Sequence, residues 1–176
     1  LSKLTESIHQ AILTGSNDPE IQALCYDSRR SSGGSLFFAL KGQNVDGMDF
    51  IEPALESGAS GIVAEEEDRG LDVPWVKVPD GRYAMSAMSD MINACPSSEI
   101  KIAGVTGTNG KTTTAFLLYN LLERGQRRCG LLGTITYKTG SKDEPPVTHT
   151  TPEAPELQFY LSEMLSNGCV AAVMEV

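Results

Sequence analysis

The sequence holds no apolar run of transmembrane length, and Leu1 to Ser16 carries Lys3, Glu6 and His9 where a secretion signal needs an unbroken apolar stretch. A cytoplasmic protein is the expectation. Closely spaced cysteines are also missing: Cys25, Cys95, Cys129 and Cys169 stand 70, 34 and 40 residues apart. That spacing excludes a CxxC element and favours buried free thiols in a reducing compartment over disulfides or zinc. Basic charge is scarce, with a net charge of −9; residues 1–98 hold 7 basic and 15 acidic side chains, and residues 99–176 hold 7 and 8. Nucleic acids and anionic membranes are bound through basic surface, so neither is an expected partner. Any phosphate must be held locally, by amides and a few cations. No internal repeat is visible. The chain begins without Met and stops at Val176 inside an apolar run, which predicts further sequence on both sides.

What is present is enough for a packed core: 176 residues, 40% of them hydrophobic, sufficient for one large domain or two small ones. The stretch that organises the chain is Gly104 to Thr113, with Gly107, Thr108, Asn109, Gly110, Lys111, Thr112 and Thr113 at its centre. Ile100 to Ala103 before it reads as a buried strand, and Ala115 to Leu118 with Leu121 and Leu122 sets an apolar helical face after it. Strand, Gly-rich turn and helix make a phosphate-binding loop, in which backbone amides and the helix N-terminus cradle phosphates. Lys111 would reach the β and γ phosphates and the Thr112 hydroxyl would ligate Mg²⁺. The usual pattern has Gly five residues before Gly110, where this chain has Val105.

Elsewhere the pattern alternates strands with helices and predicts an α/β fold with parallel pairing. Leu1, Leu4, Ile8, Ala11 and Ile12 share a helical face. Strands are expected at 21–26, 36–40, 61–64, 75–78, 130–137 and 170–176. Helices are expected near 50–55, over 85–95, over 113–124 and around Leu157 to Leu165, the last starting at Pro152 or Pro155. Met85 and Met88 read as core. Glu65-Glu66-Glu67-Asp68 reads as a solvated turn of mutually repelling carboxylates with nothing nearby to pair them. Pro96 to Glu99 punctuates the chain, so the domain boundary is placed between 1–98 and 99–176.

The sequence from Gly107 to Thr113 resembles the Mur ligases, ATP-dependent amide-forming enzymes of peptidoglycan synthesis; the related folylpolyglutamate synthetases usually follow the Asn-Gly-Lys core with Gly-Ser. Asp27-Ser28-Arg29, the strand from Gly34 to Leu40, Gly42 and Asp46-Gly47 are similar to a UDP-binding domain shared by two branches of the family. Gly133-Thr134-Ile135 and His149-Thr150-Thr151-Pro152-Glu153 resemble the branch that adds the third stem-peptide residue; the D-Ala-D-Ala-adding branch has an Asn-Asn loop instead. The resemblance implies a small UDP-binding α/β domain followed by the first part of a P-loop ATPase-type parallel α/β domain, truncated.

It also implies an activity, with ATP and Mg²⁺ as cofactors and UDP-N-acetylmuramoyl-dipeptide and a free amino acid, diaminopimelate or lysine, as substrates. Tyr26, Ser28, Gln43, Asn44 and Val45 then surround the UDP moiety, His149, Thr150 and Thr151 hold the muramoyl-peptide part, and Glu175 joins Thr112 on the metal. The residues themselves leave alternatives open. Ser28 also suits a turn cap, Thr150 and Thr151 a helix cap, and His149 simple solvation; a carboxylate such as Glu175 in an apolar strand asks for a partner or a metal. A nucleotide-sugar binding module with a vestigial phosphate loop is the rival from another class. The family continues beyond Glu175-Val176 with Ser-Ser-His, a carbamylated lysine and a further domain, so this stretch alone is expected to be inactive.

Overall fold

A strand that is apolar at every position needs cover on both faces, and the run beginning at Leu36 receives it. The computed structural model describes residues 1–42, 45–147 and 149–176. In its first unit, Leu1–Ile92, β1 (Ile12–Thr14), β2 (Ala23–Cys25), β3 (Ser35–Phe38), β4 (Gly61–Ala64) and β5 (Trp75–Lys77) form a sheet in the order β1-β5-β4-β3-β2. Strands β2 to β5 run parallel, and β1 is an antiparallel edge. Leu36, Phe38, Val63 and Val76 pack with Ala84, Met85 and Met88 of α3 (Gly81–Ile92). The alternate residues Phe37, Ile62 and Trp75 pack with Ile51 and Ala54 of α2 (Ile51–Glu56). Trp75 is fully buried, and its indole N–H donates to the Glu66 carbonyl at 3.0 Å.

Two expectations fail in this unit. The first helix is only α1 (Ser2–Thr5), because Gln10 takes a left-handed conformation and the chain leaves as β1, exposing Ile12. Leu1 and Ile8 still reach the core. The acidic run is exposed as expected but not unpaired: Glu65 accepts the Gly81 amide at 2.9 Å, Glu66 faces Arg69, Glu67 is paired with Lys77, and Asp68 accepts the Gly70 amide. The carboxylates escape mutual repulsion by pointing at four different partners.

The second unit, Asn93–Val176, contains α4 (Pro96–Glu99), β6 (Lys101–Val105), α5 (Lys111–Arg124), β7 (Cys129–Leu132), β8 (Tyr137–Lys138), α6 (Ala154–Ser166) and β9 (Ala171–Glu175). Sheet order is β6-β9-β7-β8, with β6, β9 and β7 parallel and β8 antiparallel. Ala115 of α5 covers one face with Leu131 and Val173, and Leu161 and Met164 of α6 cover the other with Leu132 and Ala172. The chain divides after Ile92, six residues before the boundary read from the sequence, because Pro96–Glu99 forms a short helix that packs on α6. Pro155 lies in the first turn of α6 and Pro152 precedes it. Leu117 and Leu121, expected on the buried face of α5, stand 67% and 69% exposed. The single strand expected over 130–137 is two, β7 and β8, joined by a turn in which the Gly133 amide donates to the Thr136 carbonyl.

Among the described residues no helix is long and apolar enough to cross a membrane. The cysteines are free; Cys25, Cys129 and Cys169 are buried and Cys95 only partly so. Burial, with Cys169 and Glu123 nearby, pushes the Cys129 thiol up from 9.0 to about 11. The native state therefore keeps a proton that the unfolded chain has already lost, and stability falls as pH rises from 9 towards 11. Denaturant titrations across that range are expected to show the fall, and Cys129→Ala to flatten it.

Candidate functional site

Parallel pairing puts the carboxyl ends of β6, β9 and β7 side by side: Val105 is in register with Glu175, and Leu132 with Met174. The residues that follow these strand ends therefore gather at one edge of the sheet, where ligands bind in open α/β folds. After β6 comes the loop through Gly107 and Gly110. Gly110 is left-handed at φ +77° and caps α5, so the N-terminal amides of a fourteen-residue helix open onto the loop. Gly107 is also at positive φ, +142°. The ammonium of Lys111 folds back over the loop and donates to the Gly107 carbonyl at 2.8 Å. A cation, the first amides of a helix and a glycine bend thus lie together at this loop.

Glu175 ends β9 and is only 1% exposed. Burying a carboxylate costs several kcal/mol unless it is hydrogen-bonded, and three donors satisfy this one. The Thr112 hydroxyl donates to Oε2 at 2.9 Å, the Thr134 amide to Oε1 at 3.1 Å and the Thr134 hydroxyl to Oε2 at 3.2 Å. Thr151 donates to the Glu175 backbone carbonyl at 3.0 Å, and the Thr134 and Thr150 hydroxyls lie 3.3 Å apart. The turn between β7 and β8 supplies this seat through Thr134. A Cβ on Gly133 would come within 2.4 Å of Glu175 Oε1, so only glycine leaves the carboxylate its place.

These donors fit a magnesium ion. Mg²⁺ takes hard oxygen ligands, usually one or two carboxylates completed by phosphate and water. Among the described residues no three His, Cys, Asp or Glu side chains gather into an all-protein cage. The Thr112 hydroxyl and Glu175 carboxylate, adjacent at the mouth of the phosphate loop, are the set that such a partly hydrated ion needs.

The other group of expected residues lies in the first unit. Tyr26, Asp27, Ser28, Arg29, Phe37, Gly47 and Phe50 line a cleft of about 350 Å³. Asp27 shapes its wall by capping the turn Ser28–Arg30, accepting the Arg29 amide at 3.1 Å and the Arg29 guanidinium at 2.7 Å. That guanidinium holds the Asp27 carboxyl below the usual carboxylate range, chiefly through the side-chain hydrogen bond. Asp46 caps the next turn, Gly47–Phe50, through the Met48 amide. Val45 is 55% exposed and is not among the residues lining the cleft. Gln43 and Asn44 lie outside the described residues.

The structure thus gathers the phosphate loop, Lys111, Thr112, Thr150, Thr151 and Glu175 at one corner. The side chain of His149 is exposed, and its backbone carbonyl accepts the hydroxyl of buried Tyr137. Thr134 was not singled out from sequence as a site residue, nor were Phe37, Gly47 and Phe50. A glycine interrupting an apolar run, as Gly133 does, is the signal that marks the Thr134 turn.

Known proteins share both halves. Residues 20–94 match the catalytic domain of the Mur ligase family, and residues 105–176 match the Mur ligase middle domain. Over the whole chain the sequence is 42% identical to a UDP-N-acetylmuramoyl-L-alanyl-D-glutamate–2,6-diaminopimelate ligase of Geobacter sulfurreducens, and it spans 35% of that protein. A solved structure of a ligase with the same name superposes with a TM-score of 0.69 at 30% identity, covering 89% of this chain and 32% of that one. A MurF ligase from Thermotoga maritima in complex with ADP superposes with a TM-score of 0.58 at 26% identity, covering 91% of this chain and 33% of that one. The chain spans about a third of the length of the curated relatives it matches.

Proposed function

Because the chain belongs to the Mur ligase family, we propose that the full-length protein is an ATP-dependent ligase of peptidoglycan precursor synthesis. It joins 2,6-diaminopimelate to UDP-N-acetylmuramoyl-L-alanyl-D-glutamate, as the names of its relatives indicate. The observation that carries this reading is the pairing of Thr112 with Glu175 at the phosphate-loop mouth. The four free thiols suit a cytoplasmic setting.

A carboxylate is a poor electrophile until one oxygen can leave. The γ-phosphoryl of ATP passes to the free side-chain carboxylate of the D-glutamate, breaking the bond to ADP and forming an acyl phosphate. The amine of the incoming amino acid then attacks the acyl carbon, phosphate departs, and a proton is lost as the amide forms. The loop amides and Lys111 hold the triphosphate and meet the charge on the migrating group. Thr112 and Glu175 would hold Mg²⁺, which would supply further neutralisation of that charge. The cleft at Tyr26 and Ser28 receives the UDP end of the substrate, and Gln43, Asn44 and Val45 are assigned to the same end by the resemblance alone. His149, Thr150 and Thr151 are assigned to the muramoyl-peptide part by the resemblance.

The test is phosphate release by the full-length protein with UDP-N-acetylmuramoyl-dipeptide, Mg-ATP and one amino acid at a time. Turnover with diaminopimelate is expected. Turnover with lysine alone would change the amino acid, and use of D-Ala-D-Ala with the tripeptide substrate would move the protein to another branch. A rise in melting temperature with UDP and none with Mg-ATP would leave only a nucleotide-sugar binding module.

A further inference from the structure

We propose that Thr134 is the positioning residue that keeps the Glu175 carboxylate aimed when the metal is bound, an inference that rests on the reading of Thr112 and Glu175 as the Mg²⁺ site. Among the described residues three donors reach the Glu175 carboxylate, two hydroxyls and one backbone amide, and they are not equivalent. The Thr112 hydroxyl on Oε2 is itself a group the ion would claim, so it cannot be relied on to orient the carboxylate. The remaining two both come from Thr134: its amide at 3.1 Å from Oε1 and its hydroxyl at 3.2 Å from Oε2. One residue therefore grips both oxygens, which fixes rotation about the last side-chain bond as well as position. Gly133, whose missing Cβ makes room for Oε1, sets this grip at contact distance.

The hydroxyl of Thr134 has a single proton. A carboxylate only accepts, so that proton serves Glu175, and the contact of 3.3 Å to Thr150 Oγ1 is made with the proton of Thr150. A short relay of hydroxyls thus runs from the 149–151 loop to the metal corner. Partners of this kind, which orient a ligand without touching the ion, typically alter metal affinity 10- to 100-fold when removed.

The experiment is calorimetric titration of the full-length protein with ADP at a series of Mg²⁺ concentrations. Thr134→Val keeps the amide donor and the side-chain volume and removes only the hydroxyl. It is expected to raise the Mg²⁺ concentration at half-maximal ADP binding by roughly 10-fold, with ADP affinity in the absence of Mg²⁺ unchanged and Thr134→Ser restoring the wild-type value. Thr150→Val, one step further out, is expected to give a shift in the same direction of about 2-fold. This variant and Thr134→Ser carry the test if Thr134→Val fails to fold; no shift with Thr150→Val, or a Thr134→Ser protein needing more Mg²⁺ than wild type, would then overturn the proposal. An unchanged Mg²⁺ dependence in Thr134→Val overturns it directly, and so does equal loss of Mg²⁺-free ADP affinity, which would mark a general disturbance of the loop. Absence of Mg²⁺-dependent ADP binding in the wild type would instead sink the metal-site reading itself, and this proposal with it.

Discussion

Lys111→Ala in the full-length protein is expected to lower ATP-dependent phosphate release by at least about 10³-fold, equivalent to roughly 4 kcal/mol of transition-state stabilisation. The ammonium is the cation at the mouth of the loop and reaches across it to the Gly107 carbonyl. Charge on a transferring phosphoryl group has few other places to go in this corner, since Glu175 is itself negative and needs its metal. Folding should not be affected, because Lys111 lies in the first turn of α5 and, among the described residues, its ammonium binds only the loop carbonyl. Melting temperature and UDP binding therefore stay at wild-type values while phosphate release disappears. Lys111→Arg is expected to recover little, because a planar fork cannot replace a compact ammonium in so tight a bend. Phosphate release within tenfold of wild type in the alanine variant would remove the loop from the mechanism.

Glu175→Gln is expected to cost about 10²- to 10³-fold in phosphate release with little change in fold. Glutamine keeps the shape of the side chain and can still accept the Thr134 amide through its carbonyl oxygen. Its NH₂ then faces the Thr112 and Thr134 hydroxyls, which can turn and accept. What is lost is the negative charge, and with it the affinity for Mg²⁺. Glu175→Ala is harsher, because the part-buried Thr134 amide loses its acceptor as well, at a further cost of about 1 kcal/mol. Comparing the two separates chemistry from structure: if the carboxylate were only a brace for the turn between β7 and β8, glutamine would work as well as glutamate.

How much of this was legible in the sequence depends on whether the signal was local. The phosphate loop was, because its glycines and lysine sit in ten consecutive residues, and β6 and α5 formed on either side of it; β6, expected to be buried, is instead the sheet edge, with Ile102 exposed. The run from Leu36 was legible for the same reason, since apolar residues at every position demand cover on both faces. Contacts between distant residues were not. Nothing in Glu65 to Asp68 announces that Gly81, Arg69 and Lys77 will meet those carboxylates. Gly133 to Thr136 reads as a strand because Leu131, Leu132, Ile135 and Tyr137 carry strand propensity. The turn appears only when Glu175, forty residues on, needs a seat. The N-terminal apolar spacing was real, in that Leu1 and Ile8 are buried, but the helix closes at Thr5 and the left-handed Gln10 turns the chain into β1. For His149, a lone residue in a polar loop offered no pattern to read.

Trp75 is the only tryptophan in the sequence and lies fully buried in the first unit, beneath the sheet face that α2 covers. Tryptophan emission, excited at wavelengths where the tyrosines do not absorb, therefore comes from the first unit alone. An optical titration with UDP and a calorimetric one with ADP would follow two separate events in a single sample, with no label added.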